Sequence, residues 1–346
     1  MKNKGGITLK KTLFNQFLDL STEIGENINF VQGAGGNTSF KEGNSLYIKA
    51  SGYKLKDSKK KNIFVEVNIS KILNQLQNEN PIKGAWDESK FLRPSIETTM
   101  HIVMPQKYVF HVHCLNTISW IVQKDFEKRF IDLFSDQNFL VIKYVKPGKN
   151  LTWEIKKQIN NKSAPDILFL SNHGLVVGAN TLNEVLKIIN LVSVRLKSAS
   201  ENKLKGDSLR LKKICKNTPY KPSLFNKAHN IAFDPRSIEI ACSGSMYPDH
   251  VVFLGTKTVT AESNEDILRI VEANSLPKLP LIIVPNYGII IPRDTSFEAE
   301  EMVLALSLII ERIPKDSEIN YLTNKEEEEL LNWQEEQYRM KLNNVK

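Results

Sequence analysis

Two histidines one residue apart, His111 and His113, sit in the apolar, β-branched run KYVFHVHCLN at 107–116. Side chains alternate faces along a strand, so residues i and i+2 point the same way and the two imidazoles make a bidentate metal platform. A third histidine from elsewhere in the chain would complete a catalytic site of the three-ligand kind, with one position left open. His173 is placed for that part: in DILFLSNHGLVVGAN it stands at a strand end beside Gly174, where a side chain can project into a cleft. The pair by itself reads equally well as two histidines that bind nothing. Cys114, the next residue on the strand, points to the opposite face from His113 and reads as core packing.

Two more stretches carry polar groups of interest. In RPSIETTMH, Glu97 follows Pro94 and Ser95, good helix-start chemistry, so a carboxylate at a helix N-terminus is one reading and a catalytic acid/base is the other. His101, four residues on, shares the face of Glu97 and reads as structural. In VQGAGGNTSFKEGNSLYIKASGYKL, Gly33, Gly35 and Gly36 precede a hairpin that ends at Lys49, Ser51 and Gly52. The order is neither a dinucleotide fingerprint nor a P-loop. Backbone amides, the amide of Asn37, a hydroxyl and an ammonium could together cradle a phosphate, although a plain hairpin fits the same glycines.

The elements that must position these groups follow from periodicity. Leu9, Leu13, Phe14, Phe17, Leu18 and Leu20 lie at helical spacing, so an amphipathic helix opens the fold over 8–25. NTSF and SLYIKA form a hairpin around Glu42–Gly43–Asn44. IFVEVN at 63–68 is a strand followed by a helix to about Leu76, and 79–92 is a loop. A helix from Pro94 to near Pro105 leads into the histidine strand. A helix is expected around 115–133, a strand at FLVIKYV, a helix over 151–162, then strand, Asn172–His173–Gly174 turn, strand, and a helix capped near Thr181.

Bulk composition narrows the class. With 41% hydrophobic and 25% charged residues the 346-residue chain is globular rather than disordered, and long enough for one large domain or two. No run of about 18 apolar residues occurs, so no membrane span is expected. MKNKGGITLKKTLF has no apolar signal core, and Cys114, Cys215 and Cys242 form neither a CxxC nor an even framework. Cytoplasm is the expected location. The net charge of +8 draws on KLKDSKKK at 54–61 and RLKKICK at 210–216, which lack the interleaved aromatics of a single-strand groove. Solvated faces explain them better than nucleic acid, and an anionic small substrate suits the balance equally.

GAGGNTS, IKASG, PSIE, HVH and NHGLVVG, in that order over roughly residues 8–200, resemble the class II aldolase/adducin family. The resemblance implies an α/β fold, a three-layer α/β/α arrangement around a mainly antiparallel sheet. It implies a ring-shaped homotetramer with sites between subunits. It also implies that His111, His113 and His173 are zinc ligands (another divalent metal would serve), that Glu97 is the catalytic carboxylate, and that Asn37, Ser51, Gly52 and Ser95, with Lys49 as an addition, hold a phosphate. Many sugar-phosphate members read PSSE where Ile96 stands here, which removes one phosphate-binding hydroxyl. PSIET and the later YPDHVVF are similar to the aldolase portion of long rhamnulose-phosphate-aldolase-type proteins; a dehydrogenase portion of the kind bifunctional members carry is not expected.

The resemblance points to a metal-dependent aldolase that cleaves or forms a carbon–carbon bond in a ketose phosphate or related sugar. In it, zinc stabilises an enediolate and Glu97 serves as acid/base. Pentulose-phosphate epimerases of the family tend to have Asp at that place, and Glu97 reaches one methylene further. The alternatives are an epimerase or decarboxylase of the same family, or a non-catalytic adducin-like scaffold. The family often takes a proton-donating tyrosine from a neighbouring subunit, and none aligns here.

The domain reading is 1–205 for the metal-binding catalytic domain, 206–235 for a lysine-rich linker, and 236–346 for a smaller C-terminal α/β domain without metal ligands. That last domain is a candidate degenerate repeat. LIIVPNYGIIIPRDTSFEAEEMVLALSLII at 281–310 follows the plan of ILFLSNHGLVVGANTLNEVLKIINLVSVRL at 167–196, with Tyr287 in the place of His173. PDHVVFLG at 248–255 is read as the echo of the histidine strand, with Leu254 for His111. A charged helix over 323–342 ends the chain.

Overall fold

The computed structural model describes residues 4–159, 164–198, 206–275 and 278–332. The chain divides into two compact units: Met1–Thr117 with Glu127–Arg195, and Ile118–Phe126 with Leu196–Lys346.

In the first unit α1 (Lys4–Glu26) precedes the hairpin of β1 (Asn37–Glu42) and β2 (Ser45–Lys49). β3 (Phe64–Asn68) runs into α2 (Ile69–Gln77), whose N-terminus is capped by the Asn68 side chain accepting from the Lys71 amide. Then come α3 (Thr98–Val103), β4 (Tyr108–Val112), α4 (Leu115–Ile121, which from Ile118 on belongs to the second unit), α5 (Phe126–Leu133), β5 (Phe139–Ile142) and α6 (Lys149–Ile159). β6 (Ile167–Leu170), β7 (Gly174–Ala179) and α7 (Leu182–Arg195) complete it. Thr181 and Glu184 cap α7 reciprocally: the Thr181 amide donates to the Glu184 carboxylate at 3.1 Å and the Glu184 amide to Thr181 Oγ1 at 3.3 Å. The single helix expected over 115–133 is two, broken where Asp125 adopts φ 59°. The helix expected from Pro94 begins only at Thr98, because Pro94 lies in an extended bridge with Ala50.

The seven strands take the order β3-β2-β1-β4-β7-β6-β5, antiparallel except for β5 with β6. One face of the sheet packs an aromatic group around α1, in which the Phe17 ring lies 4.9 Å from Phe64 and 5.9 Å from Phe110. The other face packs against α3 and α6 through Met100, Val109, Leu151, Ile155, Leu168 and Val176. Each such side chain, fully buried, contributes roughly 1.5–3 kcal/mol. Alternation along β4 sends Phe110 to the α1 face and Val109 with His111 to the α3 face, so the metal platform opens on the side that carries Glu97.

In the second unit, residues 206–235 are not a linker. They form α8 (Ser208–Ile214), β8 (Tyr220–Pro222) and a 3-10 helix at Asn226–Phe233. Tyr220, Leu211, Ile214 and Cys215 join a core with Ile282, Val284 and Ile290, and that burial is what orders the segment despite its lysines. α9 (Pro235–Cys242), β9 (Thr258–Thr260), α10 (Asn264–Ala273), β10 (Leu281–Val284), β11 (Gly288–Pro292), α11 (Phe297–Ile310) and α12 (Asn324–Leu331) follow. α11 is buried nearly all round rather than amphipathic. Of the terminal helix expected over 323–342, the part beyond Asn332 lies outside the described residues.

The four strands order as β8-β11-β10-β9, with β9 parallel to β10 and the other pairs antiparallel. This is the arrangement of β4-β7-β6-β5 in the first unit, reached by the same chain path of strand, helices, strand, helix, strand, turn, strand, helix. The turns agree too, with Asn172 at φ 54° and Asn286 at φ 65°. The counterpart of β4 is β8, however, not 248–255: His250–Leu254 forms a π-helix. Because His111 pairs with Val176 and Pro222 with Ile290, two residues beyond Gly174 and Gly288 respectively, Pro222 stands where His111 does. Leu224 then falls at the place of His113, and Tyr287 keeps the place of His173. The Leu254 correspondence is wrong because the register is set by pairing with β11, not by local resemblance.

Candidate metal centre

His111 is the fourth residue of β4 and His113 lies just past its end, while His173 sits in the β6–β7 turn with its amide donating to the Leu170 carbonyl at 3.0 Å. The left-handed Asn172 turns the chain so that His173 faces the end of β4. Gly174 is required beside it. A Cβ there would lie 2.8 Å from the Val112 carbonyl oxygen, 3.1 Å from His111 Cε1 and 3.3 Å from His113 Cδ2, so any side chain would push into both rings. Gly36, at φ 59°, gives the same clearance under the His111 carbonyl.

The three imidazoles are buried, and their ligand atoms all lie within 4.8 Å of one another. His111 Nε2 and His113 Nε2 are 3.1 Å apart. Metal–nitrogen bonds of about 2.0–2.1 Å in tetrahedral geometry would set such nitrogens about 3.3 Å apart, so the spacing fits a small divalent cation. His111 Nδ1 lies 3.1 Å from the Leu175 carbonyl oxygen, a contact that places the proton on Nδ1 and leaves the Nε2 lone pair toward the other two rings. The donor set fits a metal.

Glu97, at the N-cap of α3, reaches the same place. Its Oε2 lies 3.5 Å from His111 Nε2 and its Oε1 3.5 Å from His173 Nε2. Asn37 Nδ2 donates to Oε2 at 2.8 Å, whereas Oε1 is buried with no hydrogen-bond donor. Burial by itself raises this carboxyl's pKa. Positive charge at the His111 and His173 positions, the Asn37 amide and then charge at His113 outweigh it and lower the group to about 2. Behind Asn37 stands His101, fully buried, with Nε2 bonded to Asn37 Oδ1 and Nδ1 2.8 Å from Ser39 Oγ. The reading of His101 as structural missed this connection to Glu97. A signal was present: His101 lies one helical turn from Glu97, and Asn37 and Ser39 share a strand face.

Residues 16–196, just over half the chain, match the class II aldolase and adducin N-terminal domain. The chain belongs to the class II aldolase and adducin family. A relative in Bacillus subtilis (strain 168), the uncharacterized oxidoreductase YuxG, is 29% identical over 178 residues, which take in 46% of this chain and only 26% of that relative. Among solved structures, the N-terminal class II aldolase domain of a conserved Thermoplasma acidophilum protein is 24% identical with a TM-score of 0.45, covering 52% of this chain and 89% of that one. YgbL from Klebsiella pneumoniae, a putative aldolase/epimerase/decarboxylase, is 15% identical with a TM-score of 0.41, covering 54% and 87%. An L-fuculose 1-phosphate aldolase is 17% identical with a TM-score of 0.41, covering 54% and 83%.

In this class II aldolase family member the five residues read as a phosphate pocket separate into two groups. The Ser95 amide donates to the Lys49 carbonyl at 3.1 Å and the Ser51 amide to the Arg93 carbonyl at 2.9 Å, which sets Ser51, Gly52 and Ser95 side by side. Ser95 Oγ also accepts from the Glu97 amide at 3.2 Å. The side chains of the other two are engaged elsewhere. Asn37 is bonded through both amide atoms, to Glu97 and His101. Lys49 is buried and donates to the backbone carbonyls of Ala34 at 2.9 Å and Tyr53 at 2.7 Å, tying the glycine loop to the turn after β2. Cys114 is buried, as a packing residue would be. Among the described residues no helix is long and apolar enough to cross a membrane.

Proposed function

We propose that this chain is a divalent-metal-dependent aldolase, making or breaking a carbon–carbon bond in a ketose phosphate or related sugar, with Glu97 as its acid/base. The observation that carries the reading is the asymmetry of Glu97: Oε2 is held by Asn37, and Oε1 lies buried without a donor beside His173. A buried carboxylate next to a three-imidazole metal platform is arranged to take a proton from the carbon beside a substrate carbonyl.

His111, His113 and His173 would hold the ion, zinc or another divalent metal. When bound, it supplies Lewis-acid stabilisation of the negative charge that develops on substrate oxygens. Ser51, Gly52 and Ser95 would anchor a phosphate and so orient the substrate, while Asn37 and Lys49 act one layer behind, on Glu97 and the glycine loop. By family resemblance the reading extends to a homotetramer in the cytoplasm, with the metal-binding domain in the first part of the chain and no nucleic-acid or membrane partner.

A screen of ketose phosphates against their unphosphorylated analogues, with and without chelator, tests it. Metal-dependent release of a three-carbon ketone fragment, with a preference for the phosphorylated series, is expected. Glu97→Gln should keep its metal and lose about 100- to 10,000-fold in solvent exchange of the proton beside the carbonyl of dihydroxyacetone phosphate. Unchanged exchange would remove Glu97 as the base.

A further inference from the structure

His101 is fully buried among polar partners, Ser39 and Asn37. Its role follows from the direction of the hydrogen bonds around it. Asn37 presents its amide nitrogen, Nδ2, to Glu97 Oε2 at 2.8 Å, the nitrogen donating. That turns the amide oxygen of Asn37 toward His101, and an oxygen requires a donor. His101 must therefore carry its proton on Nε2. Nδ1 is then an acceptor, and Ser39 supplies the hydroxyl proton at 2.8 Å in preference to the Val109 carbonyl at 3.5 Å. The ring stays neutral in this surrounding, since burial opposes its charged form.

We propose that His101 is a positioning residue that fixes the Asn37 amide as an obligate donor to Glu97 Oε2, and so leaves Oε1 as the oxygen that exchanges protons with substrate. The chain of donors runs from Ser39 Oγ to His101 Nδ1, from His101 Nε2 to Asn37 Oδ1, and from Asn37 Nδ2 to Glu97 Oε2. Without the ring, the amide of Asn37 could turn over and set an oxygen against the carboxylate. The two ends of the chain are built on rigid elements. Asn37 and Ser39 are i and i+2 on β1, and Glu97 and His101 are one turn apart at the start of α3, where the His101 amide donates to the Glu97 carbonyl at 3.2 Å. The inference rests on the reading of Glu97 as the acid/base.

The tautomer is measured on the zinc-loaded full chain by nitrogen-15 histidine ring correlations, with His101 assigned by its disappearance in His101→Phe. Between about pH 6 and 8 its proton should be on Nε2 alone. A proton on Nδ1 would overturn the proposal whatever the enzyme turns over. In the exchange assay with dihydroxyacetone phosphate, His101→Phe should lower kcat about 10- to 100-fold with KM within about twofold, as loss of an outer hydrogen-bond partner does. Metal content should not change, and His101→Gln, whose amide nitrogen can donate to Asn37, should recover part of the rate. Asn37→Ala combined with His101→Phe should be no slower than Asn37→Ala alone; additive losses would show that His101 does not act through Asn37. If the wild-type chain shows no exchange, the reading of Glu97 fails, and the ring measurement then decides the direction of the donor chain on its own.

Discussion

The Nε2 atoms of His111 and His113 face each other across 3.1 Å, both buried, in a chain segment where a single intervening residue separates them. Two lone pairs at that distance repel unless a proton or a cation lies between them. Purified protein should therefore hold about one divalent ion per chain, and His113→Ala should lose most of it. Elemental analysis after dialysis reads this directly; equal metal in the variant would refute the ligand assignment.

Gly174 offers a test from the packing side. Its missing Cβ is what lets the His111 and His113 rings close on the turn. Gly174→Ala should cost roughly 1–3 kcal/mol of stability, as overpacking does, and should weaken metal binding while the fold is retained. Urea unfolding in chelator, compared with metal titration of the folded variant, separates the two effects. Wild-type metal affinity in Gly174→Ala would mean the rings have room that the geometry denies them.

Lys49 distinguishes a structural ammonium from a phosphate ligand. Its ammonium donates to the main-chain carbonyls of Ala34 and Tyr53, so Lys49→Met should cost about 2–3 kcal/mol by leaving them unmet. Chemical denaturation measures that loss. A variant with full stability and only a raised KM for phosphorylated substrates would restore Lys49 to the pocket.

Acid should destabilise the fold well above the usual carboxylate range. Burial pushes His250 down to about 4 and His101 to about 3, so both rings are neutral in the fold at pH 5. The unfolded chain takes up protons on them below about pH 6.5, so it binds more protons than the native state and stability falls as pH drops from about 6.5 toward 4. Glu97, held near 2 and ionised in the fold, adds a loss below about pH 4.5 in the same direction. The His250 share is on the order of 3 kcal/mol, and His250→Asn should flatten the limb between about pH 6.5 and 4 in urea midpoints. An unchanged slope would mean that His250 is protonated in the fold.

Local chemistry made much of this protein legible. The i, i+2 spacing of His111 and His113, the Asn-His-Gly turn and the order of the glycine, PSIE and histidine motifs depend only on strand geometry and turn preference, which a short window carries. The same holds for the hairpin around Gly43 and the cap at Thr181. Even the repeat of strand, turn, strand and helix near Tyr287 was visible, because each unit writes that plan contiguously.

What sequence alone could not decide was pairing and partnership between distant segments. PDHVVFLG looked like the histidine strand, but β8 occupies that place, since strand register depends on a neighbour 70 residues away and not on the strand's own letters. The lysine-rich stretch 206–235 reads as a linker from its letters, yet a core forms beneath it. Asn37, His101 and Glu97 were read as a phosphate ligand, a structural residue and a base. Only the tertiary structure, by laying β1 against β4 and setting α3 across that face, joined them into one directed line of hydrogen bonds, because a buried polar atom takes whichever partner the packing brings within reach.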